Sequence, residues 1–304
     1  AAAAFRMKLY NIGAEGQLFI GAITADAAGL YLGGRGWPQL VVVTAMVLAG
    51  CAGGAAWALV PGALRAVFNT NEIITSLMLN YVAATTLTYL IFNSESYFRE
   101  TTGFNATVFP VGKDLPDNAL WPGITLGVQG GITVPLGALL ALAAAALLWL
   151  LYARTRFGFE AQILGDSPRA ARYAGVRLRR KILAVMAISG ALAGIGGASQ
   201  DGDFRHTLDA DPNGLQKQAF GYTGIVVAAL GRYNPFAVVL VAFLIGGLQN
   251  AGNTLQGADF PSGLVGVIEG IILFSALGGE LLVRYRPRLV RRELVAPGTA
   301  EGAA

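Results

Sequence analysis

Five uninterrupted apolar segments constrain this chain more than any other feature of its sequence. They are residues 40–60, 73–92, 132–152, 182–199 and 236–255, and none of them contains a charged residue. A helix of about 20 residues, rising about 1.5 Å per residue, spans a hydrocarbon core about 30 Å thick. With 54% hydrophobic and 13% charged residues, the 304-residue chain is too apolar for a soluble domain. The sequence therefore predicts an all-α, polytopic transmembrane helical bundle.

Three weaker segments and the distribution of charge set the expected topology. Residues 9–32 and 260–282 are apolar apart from two acidic residues each, and residues 219–231 are about 20 Å long if helical. If all three cross, the bundle has about eight segments, and most of the 22 Lys and Arg lie on the cytoplasmic side. The short segment is then a broken helix, and whether it crosses fully stays open. We expect one transmembrane domain over residues 1–304, with a basic cytoplasmic tail at 284–304.

The loop at residues 154–181 contains eight of the chain's basic residues. Within it, Ser167 is a good N-cap, Pro168 suits a first helical position and Gly175 suits a C-terminal stop. These signals predict a short helix, about 11 Å long. Charge alone leaves two interpretations open, a loop that only fixes the topology and a loop that contacts a partner.

Polar side chains inside the apolar segments mark where a solute would pass. The stretch NIGAEGQ alternates polar residues with glycines, a composition typical of an interrupted helix that lines a cavity. Ser76 and Asn80 are four residues apart and share one helix face. We predict a substrate pathway formed by Asn11, Glu15, Gln17, Ser76 and Asn80. The alternative is that these groups hydrogen-bond between helices and touch no ligand.

Motifs for catalysis and cofactor binding are missing from the sequence. Cys51 and His206 are the only residues of their types, and neither GxSxG nor GxxxxGK[ST] occurs. The basic residues lie in loops tied to a membrane surface, which argues against nucleic acid as a partner. We therefore expect no enzymatic activity, no cofactor and no metal site. Energy for transport has to come from a partner or from a gradient.

A second loop, on the side opposite the basic residues, is rich in aspartate. Its members are Asp201, Asp203, Asp209 and Asp211. We expect them to form an acidic outer face. Such a face either docks a substrate-delivering partner or is simply solvated.

Four stretches, in this order and spacing, carry a family resemblance. They are NIGAEGQLFIGAI, TNEIITSLMLNYVA, GDSPRAARYAGV followed by ISGALAGIGGA, and GYTGIVVAALGRYNPFAVVLVAFLIGGLQNAGN. Together they resemble the inner-membrane permease subunits of bacterial ABC importers, in the branch shared by branched-chain amino-acid, ribose-type sugar and nucleoside systems. The nucleoside and simple-sugar members are the most similar. The resemblance extends from Asn11 to about Phe274.

The resemblance implies a multi-pass inner-membrane permease that moves a nucleoside or a simple sugar. Its expected partners are an ABC ATPase, a second permease subunit (a paralogue or an identical copy), an extracytoplasmic substrate-binding lipoprotein and membrane lipid. The family's coupling helix, which contacts the ATPase, matches Gly165, Asp166, Ser167, Pro168, Arg169, Ala170, Ala171, Arg172, Tyr173, Ala174 and Gly175. The alternative function is an ion- or proton-coupled secondary transporter or channel that uses Glu15 or Glu269 and needs no ATPase.

Overall fold

The computed structural model describes residues 1–102, 106, 109–126, 132–210, 215–254, 264, 267–268, 270–272 and 274–275. Residues 1–247 and residues 248–304 form two compact units, and apart from the end of the helix Pro235–Thr254 every feature described below lies in the first. Asp211, Glu269 and the predicted basic tail at 284–304 lie outside the described residues.

The helices account for most of the described chain. Their bounds are α1 Ala2–Phe5, α2 Ala14–Gly33, α3 Gln39–Phe68, α4 Glu72–Phe92, α5 Leu136–Arg154, α6 Arg156–Asp166, α7 Pro168–Tyr173, α8 Leu178–Ser199, α9 Phe220–Leu230 and α10 Pro235–Thr254. In the described residues, α3, α4, α5 and α8 with its extension to Arg205 are long and apolar enough to cross a membrane. This confirms the predicted all-α, polytopic bundle.

Two predicted helix starts are wrong, and both errors have a local cause. The segment expected to begin at residue 132 begins with a strand, β2 (Ile132–Val134), which pairs antiparallel with β1 (Ile124–Leu126). The helix α5 begins only after Pro135, whose ring restricts the preceding residue to extended backbone. Likewise α2 begins at Ala14 instead of near residue 9, because the backbone is irregular through the start of NIGAEGQ, the stretch whose composition indicates an interrupted helix.

Glycines bring α2, α3 and α8 into close contact at the centre of the bundle. A Cβ atom placed on Gly54 would collide with the carbonyl oxygen of Gly190, and one on Gly194 would collide with that of Gly50. Gly21 of α2 faces Gly194 at similarly short range. Small residues allow helix backbones to approach where lipid offers no hydrophobic force between helices. The three helices therefore form a closely packed centre, and the other helices lie around it.

The helix α9 is too short to cross a bilayer alone. Its 11 residues rise about 16 Å, roughly half of a 30 Å hydrocarbon core. A 3-10 turn, Leu215–Gln218, precedes it, and the backbone at Ala219 between the two has a φ of 50°. The predicted short segment is thus a half-length helix, and its N-terminus lies inside the bundle.

Candidate functional site

A network of side-chain amides joins the start of α2 to α8. Asn11 is buried in the irregular segment before α2 and exchanges two hydrogen bonds with the Gln17 amide, at 2.8 and 2.9 Å. Its Nδ2 also donates to Ser189 Oγ at 2.9 Å, and its Oδ1 accepts from Gly13 N at 3.2 Å. Buried amides are costly unless paired, so this network fixes how the chain enters α2.

Asn80 extends the network to α4 and α9. Its Oδ1 accepts from Gly16 N at 2.9 Å, while its Nδ2 donates to Ile12 O at 3.0 Å and to Tyr222 Oη at 3.2 Å. One side chain therefore holds together three segments that are distant in sequence. The Gly16 N–H and the Ile12 C=O both have Asn80 as their hydrogen-bond partner.

Glu15 caps the N-terminus of α9. Its Oε2 accepts hydrogen bonds from Gly221 N at 2.5 Å and from Tyr222 N at 3.3 Å. These N–H groups belong to the first turn of a helix, where no carbonyl of that helix can reach them and where negative charge is stabilising. A Cβ at Gly221 would collide with the Glu15 backbone, so glycine is needed there.

The structure thus brings four of the five predicted pathway residues into one buried network, with the fifth beside it. Ser76 is also buried, but its Oγ donates to Ile73 O of its own helix at 3.2 Å. Sequence reasoning missed Ser189 and Tyr222. A serine within an apolar helix and a tyrosine at a helix start are weak signals by themselves. Their role appears only when the helices are assembled.

The opposite face of α4 carries a second polar feature, which sequence reasoning also missed. Tyr81, Thr85 and Tyr89 occur at intervals of four, and we call them the α4 stripe. The two tyrosines are 65% and 63% exposed, and the stripe lines a shallow depression. The Thr85 hydroxyl is satisfied by Tyr81 O at 2.9 Å. The available signal was the spacing, because residues i, i+4 and i+8 lie along one helix face.

The predicted short helix in the basic loop is α7, and a further helix, α6, precedes it. Ser167 serves both: its N–H donates to Ile163 O at 2.8 Å, and its Oγ accepts from Ala170 N at 3.3 Å. Pro168 occupies the first turn, as the sequence predicts. The helix ends at Tyr173, and Gly175 has a φ of +76°, the left-handed region that favours glycine.

One face of α7 is anchored and the other is free. Ala171 is fully buried in an apolar cluster that includes Phe5, Leu164 and Ile182. Tyr173, by contrast, is 95% exposed. Gly165, like Ala171, is buried. The other predicted contact residues are exposed: Asp166, Ser167, Pro168, Arg169, Ala170, Arg172, Ala174 and Gly175. Two ion pairs lie beside α7. Lys181 of α8 pairs with Glu160 of α6 at 2.7 Å, and Lys8, which follows α1, pairs with Asp166 at the end of α6 at 3.4 Å.

Known proteins resemble this chain over nearly its whole length. The family model described as the permease component of branched-chain amino acid transport systems matches residues 2–277. The chain belongs to this permease family. A glucose ABC transporter permease protein of Haloferax volcanii is 33% identical over 307 residues, which are 97% of this chain and 76% of the relative. This confirms the resemblance inferred from the four stretches.

Two further relatives of this permease are bacterial. A guanosine ABC transporter permease protein of Bacillus subtilis is 34% identical over 275 residues, 89% of this chain and 74% of the relative. A nucleoside ABC transporter permease protein of Lactococcus lactis is 28% identical over 273 residues, 90% of this chain and 73% of the relative. No solved structure matches the permease.

The predicted acidic outer face of the permease is wrong for the aspartates that the structure describes. Asp201 is fully buried, Asp203 accepts from Leu136 N and Gly137 N at 3.1 and 2.9 Å, and Asp209 accepts from Gly112 N at 2.9 Å. The Asp203 and Asp209 carboxylates fasten backbone segments, and the buried Asp201 carboxylate does not face outward either. Among the described residues, no cluster of His, Cys, Asp and Glu is placed to hold a metal ion.

Proposed function

We propose that this chain is the membrane-spanning subunit of an ATP-driven importer that carries a nucleoside or a simple sugar across the inner membrane. The observation that carries the proposal is the match to glucose, guanosine and nucleoside permeases over about three quarters of their length. In this proposal a partner ABC ATPase hydrolyses the ATP, and the chain itself catalyses no reaction. An extracytoplasmic lipoprotein delivers the solute.

The exposed residues of 165–175 make the contact with the ATPase, whereas Gly165 and Ala171 are buried within the chain. The helix α7 is too short to be stable alone, since isolated helices below about 12 residues are marginal in water. Packing of the buried Ala171 against the rest of this chain stabilises the helix. The exposed Tyr173 and its neighbouring arginines then insert into a cleft of the partner. The buried Ala171 packs in one cluster with Leu164 of α6 and Ile182 of α8, and the ion pair between Lys181 and Glu160 joins those two helices. A push on α7 is thereby transmitted into the glycine-packed helices.

The solute passes along the α4 stripe, and a second permease subunit, identical or paralogous, supplies the opposite side of the path. Exposed tyrosines offer flat rings on which a nucleobase or a sugar ring stacks. The predicted pathway residues Asn11, Glu15, Gln17, Ser76 and Asn80 support this face from behind, because their polar groups bond within the chain. They set the position of α4 relative to α2 and α9.

The test is reconstitution. The chain is co-expressed with an ABC ATPase and a second permease from its own genome, placed in liposomes, and supplied with radiolabelled guanosine or glucose and the binding lipoprotein. We expect uptake that requires ATP and stops when the ATPase carries a disabled nucleotide site. Uptake by the chain alone, driven by an ion gradient, would instead establish the secondary-transporter alternative.

A further inference from the structure

A groove of about 300 Å³ opens between α5, α8 and α10. Among its fifteen described lining residues only Ser199 has a polar side chain, and its hydroxyl already donates to Asp203 Oδ2 at 2.7 Å. The α5 side is built from small residues such as Ala141 and Ala144. On the α8 side, a Cβ added to Gly196 would meet no atom within 4 Å. The space is therefore open, apolar and far larger than ordinary packing defects.

Two ties hold α5 in place at either end of this groove. At one end the Asp203 carboxylate accepts from Leu136 N and Gly137 N, in the first turn of α5. At the other end the rings of Trp149 and Phe236 lie 6.2 Å apart and join α5 to α10. The groove therefore lies between two points at which α5 is joined to its neighbours.

Basic side chains are held at the end of the groove marked by Trp149. The Arg154 guanidinium lies 5.6 Å from the Trp149 ring centroid. The Arg6 guanidinium lies 5.1 Å from the Tyr152 ring, one turn along α5, and its Nε donates to Tyr233 O at 3.1 Å. Aromatic and basic residues of this kind gather at membrane interfaces, and basic pockets between helices bind anionic lipid head groups.

We propose that this groove binds one anionic phospholipid, with an acyl chain between α5, α8 and α10 and the phosphate at Arg154 and Arg6. A polar solute would find no free donor or acceptor along the groove, and water requires two to four polar partners. An acyl chain requires none, and it is the main component of the bilayer around a membrane helix. The guanidinium groups then give preference to an anionic head group over a zwitterionic one.

The experiment measures the lipid that stays bound to the full chain and to the subunits that co-purify with it. The complex is reconstituted in vesicles of equal parts phosphatidylcholine and phosphatidylglycerol, re-extracted, and analysed for retained lipid by native mass spectrometry. We expect one phosphatidylglycerol to be retained in preference to phosphatidylcholine. Arg154→Gln should reduce its retention about fivefold, whereas Arg156→Gln, two residues further along, should not.

Filling the groove is the complementary test. Gly196→Leu places a side chain in the open space and should lower retention roughly tenfold, as expected for displacing about two methylenes of a chain. Ala146→Leu, on the exposed side of α5, is the matched control and should change nothing. If wild type, Arg154→Gln and Gly196→Leu all retained the same amount of phosphatidylglycerol, the proposal would be overturned.

A photo-crosslinker at Leu148 identifies the occupant directly and does not depend on how the variants fold. A phospholipid adduct supports the proposal. An adduct with a peptide of this chain, or with another subunit's helix, would overturn it, because the groove would then be a protein contact.

Discussion

The two faces of α4 both carry polar residues, yet the structure gives them opposite surroundings. On the inner face, Ser76 and Asn80 are buried and their polar atoms are bonded within the chain. On the outer face, Tyr81 and Tyr89 are largely exposed in a helix otherwise rich in apolar residues. Polarity alone therefore does not identify a transport path. What distinguishes the faces is exposure: Ser76 and Asn80 are buried, whereas the rings of Tyr81 and Tyr89 are accessible.

The largest effect is expected from the inner face. Asn80→Leu removes three hydrogen bonds and leaves the buried Gly16 N–H and Ile12 C=O unpaired. At about 1–3 kcal/mol for each unpaired group, we expect a loss of about 4 kcal/mol of stability. The measurement is thermal unfolding of the purified protein in detergent. Tyr81→Leu, one residue along the helix, is the control and should unfold as wild type does. Equal unfolding temperatures for the two variants would refute the distinction.

The same contrast between an anchored and a free face occurs in α7. Ala171→Glu puts an unpaired charge into a packed cluster and should cost about 3 kcal/mol of stability. Ala174→Glu, on the exposed face, should leave stability within about 0.5 kcal/mol but reduce the amount of ATPase that co-purifies. Full ATPase recovery with Ala174→Glu would show that this face makes no contact with the ATPase.

Removal of the α9 cap should have an intermediate effect. Glu15→Ala deprives Gly221 N and Tyr222 N of their acceptor, and lost caps cost about 2 kcal/mol at most. Glu15→Gln keeps an acceptor but not the charge and should cost about half as much. Hydrogen exchange at the amides of residues 221–222 is the direct readout. Unchanged protection in Glu15→Ala would mean that the cap contributes nothing.

The smallest effect on stability, with a clear effect on transport, is expected from the outer face. Tyr81→Ala with Tyr89→Ala should lower the uptake rate about tenfold, since stacking of a base on an aromatic ring is worth about 1–3 kcal/mol. The free energy of unfolding should stay within about 0.5 kcal/mol. The corresponding phenylalanine variants retain the rings and should retain uptake. Normal uptake by the alanine variant would remove the α4 stripe from the path.

Features that depend on neighbouring residues were the ones predictable from the sequence. The cap of α7 was correct because Ser167, Pro168 and Gly175 act within a few residues of one another. Polarity within apolar segments was enough to single out Asn11, Gln17 and Asn80, but the bond from Asn11 to Ser189 joins residues 178 positions apart. Separations of that size cannot be read from spacing.

The aspartates show the same limit more sharply. A loop with several carboxylates indicates a solvated acidic face. That expectation failed for Asp203 and Asp209 because backbone N–H groups from distant parts of the chain donate to them. Asp203 bonds Gly137 across 66 positions, and Asp209 bonds Gly112 across 97. Nothing in the local sequence of either aspartate indicates these partners.

The cap on α9 has a consequence for the kind of solute that this protein handles. A half-length helix that ends inside a membrane protein presents the positive end of its dipole there, and some transporters use such ends to attract anionic solutes. Here the Glu15 carboxylate occupies that position and bonds the free N–H groups. The positive end is neutralised from within the chain, so it exerts little attraction on an anion. The helix end behind the α4 stripe therefore adds little positive potential to the proposed path. Such a path suits uncharged solutes, such as nucleosides and simple sugars, better than phosphorylated metabolites.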